Sequence, residues 1–138
     1  MQFRLPAVAA IVIFSVLVVG MTGAEEKSKK KLVEEGRQTT IMKSKLLHSH
    51  RLLKSLAQED FATLEDSAQK LSKIAKEQWI KNPSPKYRAQ LQIFWTTLGG
   101  IESGARAGDI EEATLAYMQM TLSCVRCHKI IRREKRLK

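Results

Sequence analysis

The only two cysteines of the chain, Cys124 and Cys127, lie three residues apart near its end and are followed at once by His128. Residues three or four apart on a helix share a face, so the two thiols and the imidazole can reach one patch. The spacing C-x-x-C-H is the one that attaches a c-type haem, with two thioethers to the ring and the imidazole on the iron. We therefore predict one covalently bound haem c per chain, attached at Cys124 and Cys127, with His128 as the proximal iron ligand.

Other uses of the cysteine pair fit the sequence less well. A disulfide between them would close a very short loop and would stabilise little. A thioredoxin-like redox pair belongs in a βαβ unit, and the sequence has no strand pattern. Zinc would need His48 and His50 to join the cysteines, but residues two apart on a helix point about 200° apart. A small zinc-stapled helical bundle is therefore kept as the structural alternative.

The elements that carry these residues are predicted to be helices, because apolar residues recur every three or four positions without sustained alternation. The predicted segments are about 29–57, 60 to about 81, about 86–105 and 109 onward. Their short connections predict an all-α, antiparallel four-helix bundle with the haem attached near the end of the last helix. The predicted inner positions are Met42, Leu46, Ser49, Leu53 and Leu56; Phe61, Leu64, Ala68, Leu71, Ala75 and Trp79; Tyr87, Leu91, Phe94, Leu98 and Ile101; Ala113, Tyr117, Met120, Cys124, Cys127 and Ile131.

Residues near the segment ends support these boundaries. Asp60 is a good N-cap residue, and Pro83 and Pro85 remove backbone donors where the second helix ends. The stretch "SGARAGD", residues 103–109, predicts the last loop. Asp109 and Glu112 then form a capping box at the start of the fourth helix.

The first 24 residues have the pattern of an export signal. A short region carrying Arg4 precedes an apolar run over 7–19, and small residues lead up to a cleavage position after Ala24. The run is too short for a comfortable membrane span, so we expect no integral membrane anchor. Cleavage would leave 25–138 as a bundle domain in the periplasm or another exported location. A retained anchor is the alternative.

The chain is strongly basic, with a formal net charge of +10. Such a charge favours nucleic acid, an anionic membrane surface or an acidic protein as partner. Export argues against nucleic acid, and no basic stretch is interleaved with aromatic residues. The final bases either complement the helix dipole or form a docking patch for an acidic redox protein. These bases are Lys129, Arg132, Arg133, Lys135, Arg136 and Lys138, against one acid, Glu134.

Taken together, the motif, the helices and the export signal resemble the class II c-type cytochromes, the cytochrome c′ family. "CVRCHKIIR" matches the family pattern C-x-x-C-H-x-x-x-R, which places Arg132 near the haem, and "GRQTTIMKSKLL" resembles the family's first helix. The resemblance covers nearly all of 25–138, and the long basic tail and the histidine pair depart from it. It implies covalent haem c, electron transfer or small-gas binding, and frequent homodimers.

The sixth iron position separates two functions. Met42 lies on the predicted inner face and matches the position at which six-coordinate members of the family supply methionine. With Met42 bound, the resemblance implies single-electron transfer. An open position would give a five-coordinate protein that binds NO or CO. His48 and His50 are rival ligands, gap-filling in the core is the other interpretation of Met42, and Met120 is expected to pack. No nucleophile–base pair or carboxylate dyad stands out, so we do not expect an enzyme.

Overall fold

In the computed structural model, the backbone is described for residues 7–136, and side chains are described for 25–134 and Arg136. The helices are α1 (Ala7–Gln58), α2 (Phe61–Lys81), α3 (Pro85–Ala107) and α4 (Ile110–Arg136). They pack against each other, and no strand occurs within the described backbone, which confirms the all-α four-helix bundle. Connections over residues 59–60, 82–84 and 108–109 join the helices.

Helix α1 begins earlier than the sequence predicts, at Ala7 rather than near residue 29. It follows Pro6 directly, and no proline interrupts the chain before Pro83, so nothing in the sequence forces an end. The chain divides into two compact units, Met1–Thr40 and Ile41–Lys138. The predicted signal peptide, residues 1–24, lies outside the described side chains, so its cleavage stays a prediction.

Local capping explains where α2 and α3 begin. The Thr63 backbone N–H donates to Asp60 Oδ1 at 3.0 Å, which confirms Asp60 as the N-cap of α2. The Tyr87 backbone N–H donates to Ser84 Oγ at 3.3 Å, and proline occupies the first turn of α3. Proline suits that position because the first backbone N–H groups of a helix have no partner within the helix.

The turn between α3 and α4 is tighter than predicted. Helix α3 continues to Ala107, so most of the predicted loop over 103–109 is helical. Gly108 adopts φ 69°, a left-handed conformation that glycine tolerates, and ends the helix. The Glu112 backbone N–H donates to Asp109 Oδ1 at 2.8 Å, which confirms Asp109 as the residue that caps α4.

Two glycines allow α3 to approach α4 closely. A Cβ atom at Gly104 would lie 2.7 Å from the Ala113 backbone nitrogen, and one at Gly100 would lie 2.9 Å from Ala116 Cβ. Both distances are far inside van der Waals contact. A glycine at either position is therefore a packing requirement, even though glycine lowers helix propensity.

The predicted inner faces of α2, α3 and α4 are confirmed, whereas that of α1 is shifted. Leu46 and Leu53 are 58% and 53% exposed, and Leu52 is fully buried. The inward positions follow the spacing 42, 45, 49, 52 and 56, which includes Lys45. A lysine can occupy such a position because its aliphatic stem packs against apolar neighbours.

The core of the unit Ile41–Lys138 is built from all four helices. Within the described residues, no helix combines the length and the apolar character needed to cross a membrane. The buried apolar side chains are Leu52, Leu56, Leu64, Ala68, Leu71, Ala75, Leu91, Phe94, Leu98, Ile101, Ala105, Ala113, Ala116 and Met120.

The close approach at Gly104 gives a direct test of the fold. We expect Gly104→Ala to lower the free energy of unfolding by about 1–3 kcal/mol, because the added methyl would force α3 and α4 apart. Gly99→Ala is the matched control, since a Cβ at Gly99 meets nothing within 4 Å. We expect this control to be neutral or to stabilise by up to about 1 kcal/mol, as alanine does in a helix. Urea unfolding measures both, and equal effects would contradict the packing role.

Candidate cofactor site

A cavity of about 350 Å³ lies in the bundle unit between α1, α3 and α4. Its size falls in the range of sites for cofactors and small ligands. From α4 it is lined by Cys124, Cys127 and His128, and from α1 by Met42 and Lys45. Helix α3 contributes Tyr87, Leu91 and Phe94 to the lining.

Both cysteines are half-buried and free of disulfides. Burial is the main cause that raises the pKa of the Cys124 thiol, and the cationic Lys45 opposes it. Burial likewise raises the pKa of Cys127, again against Lys45. Activated cysteine nucleophiles have a lowered pKa, so this pair lacks the electrostatics of a thiol redox or nucleophilic centre. The thiols remain protonated at neutral pH and face an apolar cavity.

The other residues predicted for the site fall into two groups. Met42 is half-buried and lines the same cavity as His128, although the two lie on different helices. Arg132 is exposed, one turn beyond His128, and is not among the lining residues. Met120 is 1% exposed and belongs to the core, as predicted.

The rival histidines do not line the cavity. His50 is exposed. Burial, then Arg51 and Lys70, lower the pKa of His48, while Asp66 opposes this shift. Lys70 and Asp66 belong to α2, so the environment of His48 is set on the side of α2. Its Nδ1 is buried without a hydrogen-bond partner among the described residues. Of the three residues predicted as candidates for the sixth iron position, Met42 lines the cavity and the two histidines do not.

The zinc alternative gains no support from the described side chains. Among them, no group of three or more His, Cys, Asp or Glu lies close enough together to hold a metal ion. The cysteines line the cavity, whereas His48 and His50 do not.

Four aromatic side chains of α2 and α3 fall into two sets. Phe94 and Tyr87 line the cavity. Trp79 and Trp95 instead pack edge to face, with ring centroids 5.9 Å apart, and are not lining residues. The tryptophan pair therefore joins α2 to α3.

Sequence reasoning missed Lys45, which lines the cavity as its one cation among the described residues. Its Nζ lies 5.1 Å from the centroid of the Phe94 ring, over the ring face. Burial lowers the pKa of Lys45 to about 8, even though Cys127 and Cys124 favour its charged form. No carboxylate among the described side chains forms an ion pair with it. The signal available in the sequence was its place in the series 42, 45, 49, 52, 56.

Comparison with known proteins adds no family to this picture. No protein-family model matches the chain, and neither a curated protein nor a solved structure matches it significantly. A functional assignment therefore depends on the residues of the cavity and on their chemistry.

The burial of Lys45 predicts that its charge destabilises the fold in a pH-dependent way in the chain without cofactor. The unfolded state keeps the Lys45 proton up to its ordinary pKa of 10.5, whereas the folded state releases it near pH 8. Between these values the unfolded state binds the additional proton, so stability rises with pH there. We expect Lys45→Met to stabilise the cofactor-free protein at pH 7 by on the order of 2 kcal/mol, and to remove this rise.

The measurement is the difference in unfolding free energy between Lys45→Met and the parent chain from pH 7 to pH 10.5. The difference is needed because the raised pKa values of Cys124, Cys127 and Tyr87 act in the opposite sense at high pH. Lys43→Met, at an exposed lysine on the same helix, is the control and should show no such trend. A Lys45→Met difference that is independent of pH would contradict the burial of the charge.

Proposed function

We propose that this protein is an exported c-type cytochrome that carries one covalently attached haem and transfers single electrons. The observation that carries the proposal is the lining of one cavity by Cys124, Cys127, His128 and Met42. Three of these residues are local in sequence, but Met42 reaches the cavity only through the fold. Two thiols, an imidazole and a thioether are the side-chain set that a low-spin c-type centre needs.

The side chains that line the cavity carry the functional groups that would hold a covalently attached haem. Cys124 and Cys127 would hold it covalently, and His128 and Met42 would bind its iron. When bound, haem supplies an iron that is reduced and oxidised by one electron. The protein's part is to fix both ligands on separate helices of one packed unit, so that little rearranges between the two oxidation states.

Charges near the cavity would tune the reduction potential. Lys45 lines the cavity, and a positive charge there favours the reduced, less positive state of a bound metal. Arg132 is exposed, so water and salt weaken its effect relative to that of Lys45.

A second proposal concerns the redox partner. The described part of the predicted patch at the α4 end exposes Lys129, Arg132, Arg133 and Arg136, with Glu134 as the acid among them, and Arg126 is exposed within the motif itself. The Lys135 side chain and Lys138, also predicted to belong to this patch, lie outside the described residues. Because the bases follow the cavity-lining segment directly, they would hold an acidic protein beside the site of electron exchange.

The visible spectrum of the purified exported protein tests the main proposal. We expect sharp low-spin bands that do not change with CO. Met42→Ala should give a high-spin protein that binds CO, because it removes the sixth ligand. Met118→Ala is the matched control, since Met118 lies on the attachment helix but is 60% exposed and away from the cavity.

Other spectra would separate the alternatives. A high-spin parent protein that shifts with CO would replace electron transfer by NO or CO binding. An unchanged low-spin spectrum in Met42→Ala would exclude Met42 as the ligand and move the assignment to a histidine. A protein without haem absorption after export would refute both haem functions.

The basic patch predicts a charge-dependent exchange rate. We expect oxidation of the reduced protein by an anionic inorganic complex to slow as salt is added, because screening weakens attraction. Lys129→Glu with Arg133→Glu should lower the low-salt rate constant several-fold. The control is Lys73→Glu with Lys76→Glu, at exposed positions of α2, which gives the protein the same net charge as the α4 variant. Equal slowing in both variants would show that net charge, rather than the α4 patch, sets the rate.

A further inference from the structure

The outward face of α4 carries one continuous row of exposed side chains whose two halves differ in chemistry. Positions that recur at alternating steps of three and four residues lie on one side of a helix. The first half of the row is apolar and between 55% and 60% exposed: Leu115, Met118, Leu122 and Val125. The second half is basic and exposed: Lys129, Arg132 and Arg136. We call these seven side chains the α4 stripe.

The stripe faces away from the core, and charge is segregated along it. The residues buried on the opposite side of α4 include Ala113, Ala116 and Met120. Between Glu112 and Arg126 the chain has no charged residue. Glu134 falls on another side of the helix by its periodicity, and Glu111 lies one turn before Leu115, at the end remote from the bases. The stripe is therefore apolar first and positive last.

The other helices present different surfaces to water within the unit Ile41–Lys138. On α1, the exposed Leu47 and Leu53 are separated by the exposed His50 and Arg51. The outward positions of α2 and α3 include Lys70, Lys73, Lys76, Gln92, Thr96 and Ser103. A single exposed apolar side chain is ordinary on a protein surface, whereas a row of four on one helix indicates a surface that binds something.

The two halves of the stripe together indicate an occupant that is apolar in one part and anionic in the next. The apolar half consists of aliphatic side chains, without the aromatic residues that are enriched at the centres of protein interfaces. A lipid bilayer offers acyl chains and anionic headgroups within a few ångströms of each other, and its fluidity removes the need for a matching shape. The long stems of lysine and arginine also suit this boundary, since they lie along apolar surface while their charged ends reach phosphate.

We propose that the α4 stripe binds the surface of an anionic lipid bilayer, with α4 lying along the interface. Leu115, Met118 and Leu122 enter the boundary between headgroups and acyl chains, to the depth of about 5–10 Å that is typical of interfacial helices. Lys129 and Arg132 bind the phosphates of anionic lipids beside them. At 1.5 Å per residue the apolar half extends about 15 Å along the helix and the whole stripe about 32 Å. The attachment is peripheral and reversible.

Other occupants account for only part of the stripe. A second copy of the chain turned end to end would set the bases against Leu115, Met118 and Leu122, and a parallel copy would set bases against bases. An acidic protein, proposed above as the redox partner, accounts for the bases but leaves the apolar half uncovered. Lipid and an acidic protein would compete for the same bases, so the two uses are measured separately.

Binding through the stripe leaves the cavity accessible. Cys124 and Cys127 line the cavity from the inward side of α4, whereas the stripe faces outward. The inference therefore does not rest on the proposed function or on which cofactor the cavity holds.

Co-sedimentation with lipid vesicles tests the apolar half. The vesicles consist of phosphatidylcholine alone, or of phosphatidylcholine with about a third phosphatidylglycerol, and we expect the purified protein to bind the anionic kind at least about tenfold more tightly. Met118→Gln with Leu122→Gln should lower the partition coefficient on anionic vesicles at least about tenfold, because two apolar side chains no longer enter the bilayer. The control is Leu53→Gln with Ile80→Gln, at side chains 53% and 75% exposed on α1 and α2, which should bind as the parent protein does.

Charge removal tests the basic half. Lys129→Gln with Arg136→Gln should lower the partition coefficient on anionic vesicles at least about tenfold at low salt, because two bases no longer attract the headgroups. The control is Lys73→Gln with Lys76→Gln, which removes the same charge from exposed positions of α2 and should change binding less than about twofold. Circular dichroism without vesicles checks that each variant keeps its helices.

Several results would overturn the proposal. Vesicle binding that Met118→Gln with Leu122→Gln leaves unchanged would show that the apolar half does not enter the bilayer; binding through a retained segment 1–24 would give this result. A parent protein that binds no vesicle but self-associates without them would assign the stripe to a second copy. Absence of vesicle binding together with a salt-dependent exchange rate would leave the bases to an acidic protein.

Discussion

The close approach of α3 to α4 is the constraint on which the rest of the bundle unit depends. At Gly104 and Gly100 no side chain separates the two helices, so the α4 backbone and the Ala116 methyl sit directly against α3. Once that contact fixes the rotation of α4, its periodicity determines everything else on it. Met120 enters the core, the cysteines turn toward the cavity, and Met118 and Leu122 turn to solvent. At the far end of the same helix pair, Phe94, Leu91 and Tyr87 line the same cavity as the cysteines.

Much of the fold follows from local sequence patterns, and the features that were predicted wrongly depend on how the helices pack. Caps at Asp60 and Asp109 and the inner faces of α2–α4 were predictable because each depends on a few neighbouring residues. The prediction of a loop over 103–109 was wrong. Gly104 suggests a turn in isolation, but it is required by the packing of α3 against α4. The predicted inner face of α1 differs from the observed one because the prediction did not consider a lysine as an inward residue.

The candidate site shows the same division. The clustering of Cys124, Cys127 and His128 was predictable from helical spacing alone. The arrival of Met42 at the same cavity depends on how α1 packs, which no local pattern specifies. Lys45 could be recognised as part of the site only by allowing a lysine among the inward positions 42, 45, 49, 52 and 56 of α1. Its buried charge is a local cost to folding, and residues that cost stability concentrate where a protein binds or reacts.

The raised pKa values of the two cysteine thiols have a kinetic consequence for their oxidation. Disulfides form by attack of a thiolate, so a thiol that stays protonated reacts slowly with oxidants. Burial in the apolar cavity thus lengthens the lifetime of the reduced pair under oxidising conditions. The same packing that shapes the cavity therefore slows the oxidation of Cys124 and Cys127 to a disulfide.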